Sequence, residues 1–233
     1  MDTSGEGAAN IVLYLVILAL FSQVGLRLLR ASKLPRRFPI VALVTTVAIG
    51  VPSLLQFAYP SITAALERRP ELTIDHGQWW RVLTAVMAQD GGVSGAVFNL
   101  VVVALVTLLG EWIWGRWRTV VLFLAPSIIL NLLAVFAWHA SGGGSSFASD
   151  GLLMSMCGLA LLTLPDVAAR VCAGVDVLVG VALIVFLNDA HGVAVLLGAV
   201  LGALFAIPRV AARARERAAT GTGDTTRSGR ANP

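Results

Sequence analysis

Seven apolar runs follow one another along the chain, at residues 10–29, 38–59, 96–114, 118–139, 146–164, 171–187 and 190–207, and they leave little sequence over. About 20 apolar residues in a helix span the hydrocarbon core of a bilayer. In that core each backbone polar group needs a partner within the segment, so runs of this kind become helices. The expected fold class is an all-α polytopic membrane protein that crosses the bilayer seven times. Composition agrees: 57% of residues are hydrophobic and 13% charged, and the mean hydropathy is +0.83, whereas a soluble domain carries roughly 25% charged residues. One membrane domain is expected, with no room for a separate soluble one.

The formal charge of +4 does not point to nucleic acid. Arg27, Arg30, Lys33, Arg36 and Arg37 follow the first run, and Arg209, Arg213, Arg215 and Arg217 follow the last. Such clusters flank apolar runs rather than forming a face, so they read as topology signals and no nucleic-acid partner is expected. The first run lacks a basic n-region and a small-residue cleavage site, which favours a retained helix over a cleaved signal peptide. Placing its basic loop inside puts the N-terminus outside. The alternation then puts Arg116 and Arg118 inside, residues 141–144 outside, 165–170 inside, 188–189 outside and the arginine tail inside. The expected localisation is the plasma membrane, multi-pass, with a cytoplasmic C-terminus. The expected units are residues 1–37 (first helix and basic loop), 38–208 (membrane domain) and 209–233 (basic tail). From Ala218 that tail is too polar to bury a core and is expected to be disordered. Residues 60–95 form a long connection, polar at Glu67, Arg68, Arg69, Glu71 and Asp75 and interfacial at Trp79-Trp80-Arg81.

Polar side chains within apolar runs are expensive and mark function by default. Here they include Asn99, Glu111, Ser146, Ser149, Asp150, Asp176 and His191. Ser146 opens the fifth run and His191 opens the seventh, both from the outer side, so the two share a depth. A serine hydroxyl becomes a nucleophile when a neutral imidazole takes its proton. Simpler readings stand beside this one: Ser146 as a helix cap, His191 as an interfacial residue, Asp150 as a group that orients or disturbs His191, and Asp176 as a snorkelling carboxylate. Ser149 is a fallback nucleophile. Glu111 with Arg116 or Arg118 is expected to fix a turn, and the six tryptophans to form an aromatic belt. Cys157 and Cys172 show no ligand spacing, so neither a metal site nor a disulfide is expected.

Several of these pieces fall in one order. Trp80-Arg81 with Thr84, Asn99, Glu111 with Gly115, Gly144-x-Ser146 followed by Gly151-Leu152-Leu153, and Ala190-His191 with Gly198 and Gly202 succeed one another. Over residues 38–207 this set resembles the rhomboid family of intramembrane serine proteases. The resemblance implies a six-helix core plus one extra N-terminal helix. It implies a Ser146 nucleophile, a His191 base and Asn99 as an oxyanion donor, acting without cofactor on transmembrane protein substrates in the lipid bilayer. Gly198 and Gly202, four residues apart, suit close approach of the His191 helix to the Ser146 helix. Two positions depart from the family pattern: Phe147 stands where glycine usually follows the nucleophile, and Gly95 where a histidine commonly helps hold the oxyanion. They support an alternative, a catalytically inactive rhomboid-like protein that binds transmembrane segments of partners. A small transporter would require inverted repeats or broken helices with ion-binding carboxylates, and the sequence shows no such repeat.

Overall fold

The computed structural model describes residues 1, 3, 8–32 and 37–225, with the side chains of 209, 213, 214 and 216–225 also outside the description. Lys33, Arg36 and the tail from 226 thus lie outside the described residues. Among the described residues ten α-helices follow in order: α1 Ala8–Ala31, α2 Ile40–Leu55, α3 Pro60–Leu66, α4 Pro70–Ile74, α5 Trp80–Thr84, α6 Gly92–Trp114, α7 Arg116–Phe136, α8 Ser146–Thr163, α9 Val167–Leu187 and α10 His191–Thr225. Among the described residues there is no strand, and a single antiparallel bridge joins Arg68 to Gly142. Six helices among the described residues, α1, α6, α7, α8, α9 and α10, are long and apolar enough to cross a membrane, which makes this a multi-pass membrane protein.

The seventh expected crossing is shorter than the apolar run suggested. Helix α2 has 16 residues, a length of about 24 Å, short of the about 30 Å hydrocarbon core. Pro39 precedes its first turn, and the chain leaves the helix after Leu55 to start α3 at Pro60. Proline suits a first helical position because the N–H it lacks has no intrahelical partner there, and both α3 and α4 begin on one. The long connection therefore folds as short helices. Arg81 Nη1 donates to the carbonyls of Ala64 (2.9 Å) and Glu67 (2.8 Å), and Thr84 Oγ1 to that of Leu66 (3.0 Å), binding α5 to the end of α3.

Helix α8 is the centre of the bundle. Its span is 72% buried, against 22–50% for the other five, and it packs against α1, α6, α7, α9 and α10. Helix α9 turns Leu178, Val185 and Phe186 outward, an apolar exposed face of the kind a bilayer covers. Small residues permit the closest approaches. A Cβ on Gly198 would land on the Gly151 carbonyl oxygen, one on Gly202 on that of Ser155, and one on Gly158 on that of Ala199. Helices α8 and α10 thus touch backbone to backbone along a glycine seam.

At the end opposite the Ser146 entrance, Glu111 Oε2 accepts from the Val41 (2.8 Å) and Ala42 (3.2 Å) N–H groups of the first turn of α2. Its Oε1 meets Arg116 Nε at 3.0 Å. Gly115, at φ 84°, makes the reversal between α6 and α7 in a backbone region that disfavours other residues. Trp114 departs from the expected aromatic belt: it is buried and donates to Ser155 Oγ at 3.0 Å. An indole whose N–H finds a partner fits a core as well as an interface. Helix α10 also runs on through the segment expected to lack structure, as far as Thr225. Its residues 211–219 are alanine, arginine and glutamate, all strong helix formers.

Candidate active site

The glycine-rich loop that delivers Ser146 is pinned from below. Arg68 and Gly142 exchange two backbone hydrogen bonds, N–H of 68 to O of 142 at 2.8 Å and the reverse at 3.0 Å. The buried Arg68 side chain donates to the Ala140 carbonyl (2.7 Å) and to Asn131 Oδ1 (2.5 Å). Burial pushes its pKa down to about 10, with the nearby Asp90 charge working the other way, so it stays a cation at neutral pH. Gly143 donates to Asp90 Oδ2 (3.0 Å) and Gly144 to the Ala85 carbonyl (2.9 Å). A Cβ on Gly143 would sit 2.7 Å from that of Ala88, so only glycine lets the loop lie this close. Ser146 follows as the first residue of α8.

The second half of the site is a tight turn between α9 and α10. Asn188 adopts the left-handed conformation, φ 53°, at the end of α9. Its N–H bonds to Ile184 O (3.2 Å), and the next N–H, of Asp189, reaches back to Leu183 O (3.0 Å), an ending with a left-handed residue that asparagine tolerates. The turn brings Asp189 against the start of α10. Asp189 Oδ1 accepts from the His191 backbone N–H at 2.9 Å and lies 2.7 Å from His191 Nδ1. Its Oδ2 accepts from Asn10 Nδ2 at 2.6 Å and from the Tyr14 hydroxyl at 2.5 Å, both on α1.

Those bonds decide the protonation pattern. Burial works to raise the Asp189 pKa, but the hydrogen bonds and charge of His191 and the Tyr14 hydroxyl outweigh it and hold the carboxyl below the usual range. An ionised carboxylate accepts only, so Nδ1 of His191 carries the proton. The Nε2 lone pair then faces the Ser146 hydroxyl, 2.8 Å away. The imidazole is also held by rings, Phe147 at 4.8 Å and Tyr14 at 5.4 Å between centroids. Phe147 therefore flanks the histidine and does not separate it from the serine.

A cavity of about 510 Å³ opens in front of the pair, lined by α1, α6 and α8. Asn99 and Gly95 line it, and Asn99 Nδ2 donates to Gln89 Oε1 at 2.9 Å. The N–H groups of Ser146, Phe147 and Ala148, in the first turn of α8, make no hydrogen bond with the described residues. Such unpaired donors at a helix N-terminus favour negative charge. Ser149 lines the cavity too, but its hydroxyl is spent on the Ser145 carbonyl at 2.7 Å, so the fallback nucleophile lacks a base. Asp150 lines the cavity without bonding to His191; the carboxylate that orients the imidazole is Asp189.

Asp176 is fully buried in the middle of α9, with Cys157 Sγ 3.6 Å from its Oδ2 and no partner for Oδ1 among the described residues. It is not the snorkelling end residue expected, because α9 begins at Val167 and carries it inward.

Three members of the constellation escaped the sequence reading. Asp189 looked like a loop residue, yet an aspartate two residues before a histidine at a helix start is placed to cap that helix. Asn10 and Tyr14 are four apart and so on one face of α1, but nothing local to them names Asp189 as their partner. Comparison with protein-family models, curated proteins and solved structures finds no match.

Proposed function

We propose that this chain is an intramembrane serine protease of the rhomboid type, with a six-helix core over residues 38–208 and α1 as an additional N-terminal helix. The observation that carries the reading is the line Asp189–His191–Ser146, with contacts of 2.7 and 2.8 Å, facing a cavity. Nucleophile, base and orienting carboxylate in hydrogen-bond sequence are what acyl transfer needs. The ordered motifs shared with rhomboids point the same way.

In the proposed reaction, Ser146 Oγ attacks the carbonyl carbon of a substrate peptide bond as its proton passes to His191 Nε2. Asp189 stabilises the imidazolium and does not itself take the proton. The oxyanion faces the free N–H groups at the start of α8 and the amide of Asn99. Collapse breaks the C–N bond, His191 protonates the leaving amine, and an ester on Ser146 remains. Water then attacks the ester with His191 again as base, releasing the carboxylate product and restoring the hydroxyl. The substrate is a membrane protein whose chain is cut in or near a transmembrane helix. The N-terminus and the site lie on the outer side of the plasma membrane, with the C-terminus in the cytoplasm.

The test is covalent labelling of the purified chain in detergent or liposomes with a fluorophosphonate. Ser146 is expected to be the labelled residue, and Ser146→Ala and His191→Ala each to abolish labelling. No labelling of the wild type would overturn the reading in favour of a rhomboid-like protein that binds transmembrane segments without cutting them, which Gly95, a non-donor, would suit.

A further inference from the structure

The cavity before Ser146 has an uneven charge distribution. Among the described residues that line it, the ionisable side chains apart from His191 are Asp90, Asp150 and Tyr14, with neither lysine nor arginine. Two of these are already engaged. Asp90 accepts from Gly143 and lies in the field of Arg68, and Tyr14 donates to Asp189. The Asp150 side chain makes no hydrogen bond or ion pair with any described residue, and the charges it feels are those of His191 and Asp189. A carboxyl left without a partner inside a membrane protein is costly, and such residues pair with a partner or mark a substrate path.

Its position gives it a use. Asp150 lies four residues after Ser146 on α8, one turn deeper on the same helix face and about 6 Å along the axis. A side chain entering beside the attacked carbonyl would descend along α8 toward it. An alanine stops short of that depth, whereas lysine and arginine have the reach and the charge. Ser149, one residue before it, and Asn99, on the facing helix, add polar wall to the same cavity.

We propose that this cavity receives a basic side chain from the residue on the amino side of the cleaved bond, with Asp150 as its counter-ion. The substrate class is then a membrane protein with lysine or arginine near the outer end of a transmembrane helix. Basic residues sit there readily, because their long apolar stems let the charge snorkel to the interface. The inference rests on the protease reading, and the experiment separates the two.

Three peptidyl diphenyl phosphonates are compared, alike except for a lysine-like, alanine-like or leucine-like side chain next to phosphorus. The rate of Ser146 modification is measured for each on the full chain in liposomes, with a simple fluorophosphonate alongside. The lysine-like probe is expected to react at least about tenfold faster than the other two. In Asp150→Asn the ratio of lysine-like to alanine-like rates is expected to fall by at least about tenfold, and Asp150→Glu to retain a preference for the basic probe. Equal rates for the three probes on a wild type that the fluorophosphonate labels would overturn the proposal and leave the protease reading standing. So would an unchanged ratio in Asp150→Asn. Failure of the fluorophosphonate itself would overturn both.

Discussion

Asp189 spends all its hydrogen-bonding capacity on two helices: one oxygen on the backbone and ring of His191, the other on Asn10 and Tyr14 of α1. The basicity of Nε2 toward Ser146 therefore depends on a residue that never touches the serine. In Asp189→Asn an amide nitrogen can face Nδ1 and favour the wrong tautomer, and the rate of Ser146 phosphonylation is expected to fall by about 10,000-fold. Tyr14→Phe removes one hydrogen bond to a charged acceptor, and the same rate is expected to fall about tenfold or more. Asp189 also couples stability to pH. Its carboxyl is held below the usual range in the fold, so its contribution is fully present above the unfolded value, about 3.9, and is lost as pH falls through the lower folded value. The gap in melting temperature between wild type and Asp189→Asn is expected to narrow as pH falls below about 4. A thermal unfolding series over pH measures it.

Among the elements, α8 and α10 are the pair on which Ser146 and His191 depend, since each helix carries one of the two at its first residue. Their separation is set by glycine. Gly202→Ala would force a methyl group into the Ser155 carbonyl, because the seam is backbone against backbone and no side chain can move aside. Overpacking of this kind costs about 1–3 kcal/mol, and the variant is expected to unfold at lower temperature and to react more slowly with a fluorophosphonate. Gly174→Ala on α9 is the control: an added Cβ there meets nothing within 4 Å. That variant is expected to unfold no earlier than the wild type in the same melting experiment.

Across the whole molecule, α1 packs against α9, α8 and α6 and forms one wall of the cavity through Ile11, Tyr14 and Leu15. It is thus part of the site and more than an added anchor. The proposed orientation has a direct check in intact cells. With Cys157 and Cys172 replaced by alanine, a membrane-impermeant maleimide is expected to label Ser141→Cys at the outer loop and to spare Arg118→Cys until the cells are opened. Labelling in the reverse pattern would invert the topology.

That the chain is helical and embedded was legible in its hydropathy, because apolar runs of this length have no other stable form in lipid. It also brought out Ser146 and His191 as polar residues opening two helices, and the Gly198 and Gly202 spacing, since these are local signals. The length of α2 and the burial of Trp114 and Asp176 depended on which neighbours each element meets, which hydropathy does not encode, while the extent of α10 followed local helix propensity that a polarity argument overlooks. The alliance of Asp189 with Asn10 and Tyr14 joins residues more than 170 positions apart. Only the packing of α1 against α9 brings them within hydrogen-bond distance, and with them the orientation of the base that faces Ser146.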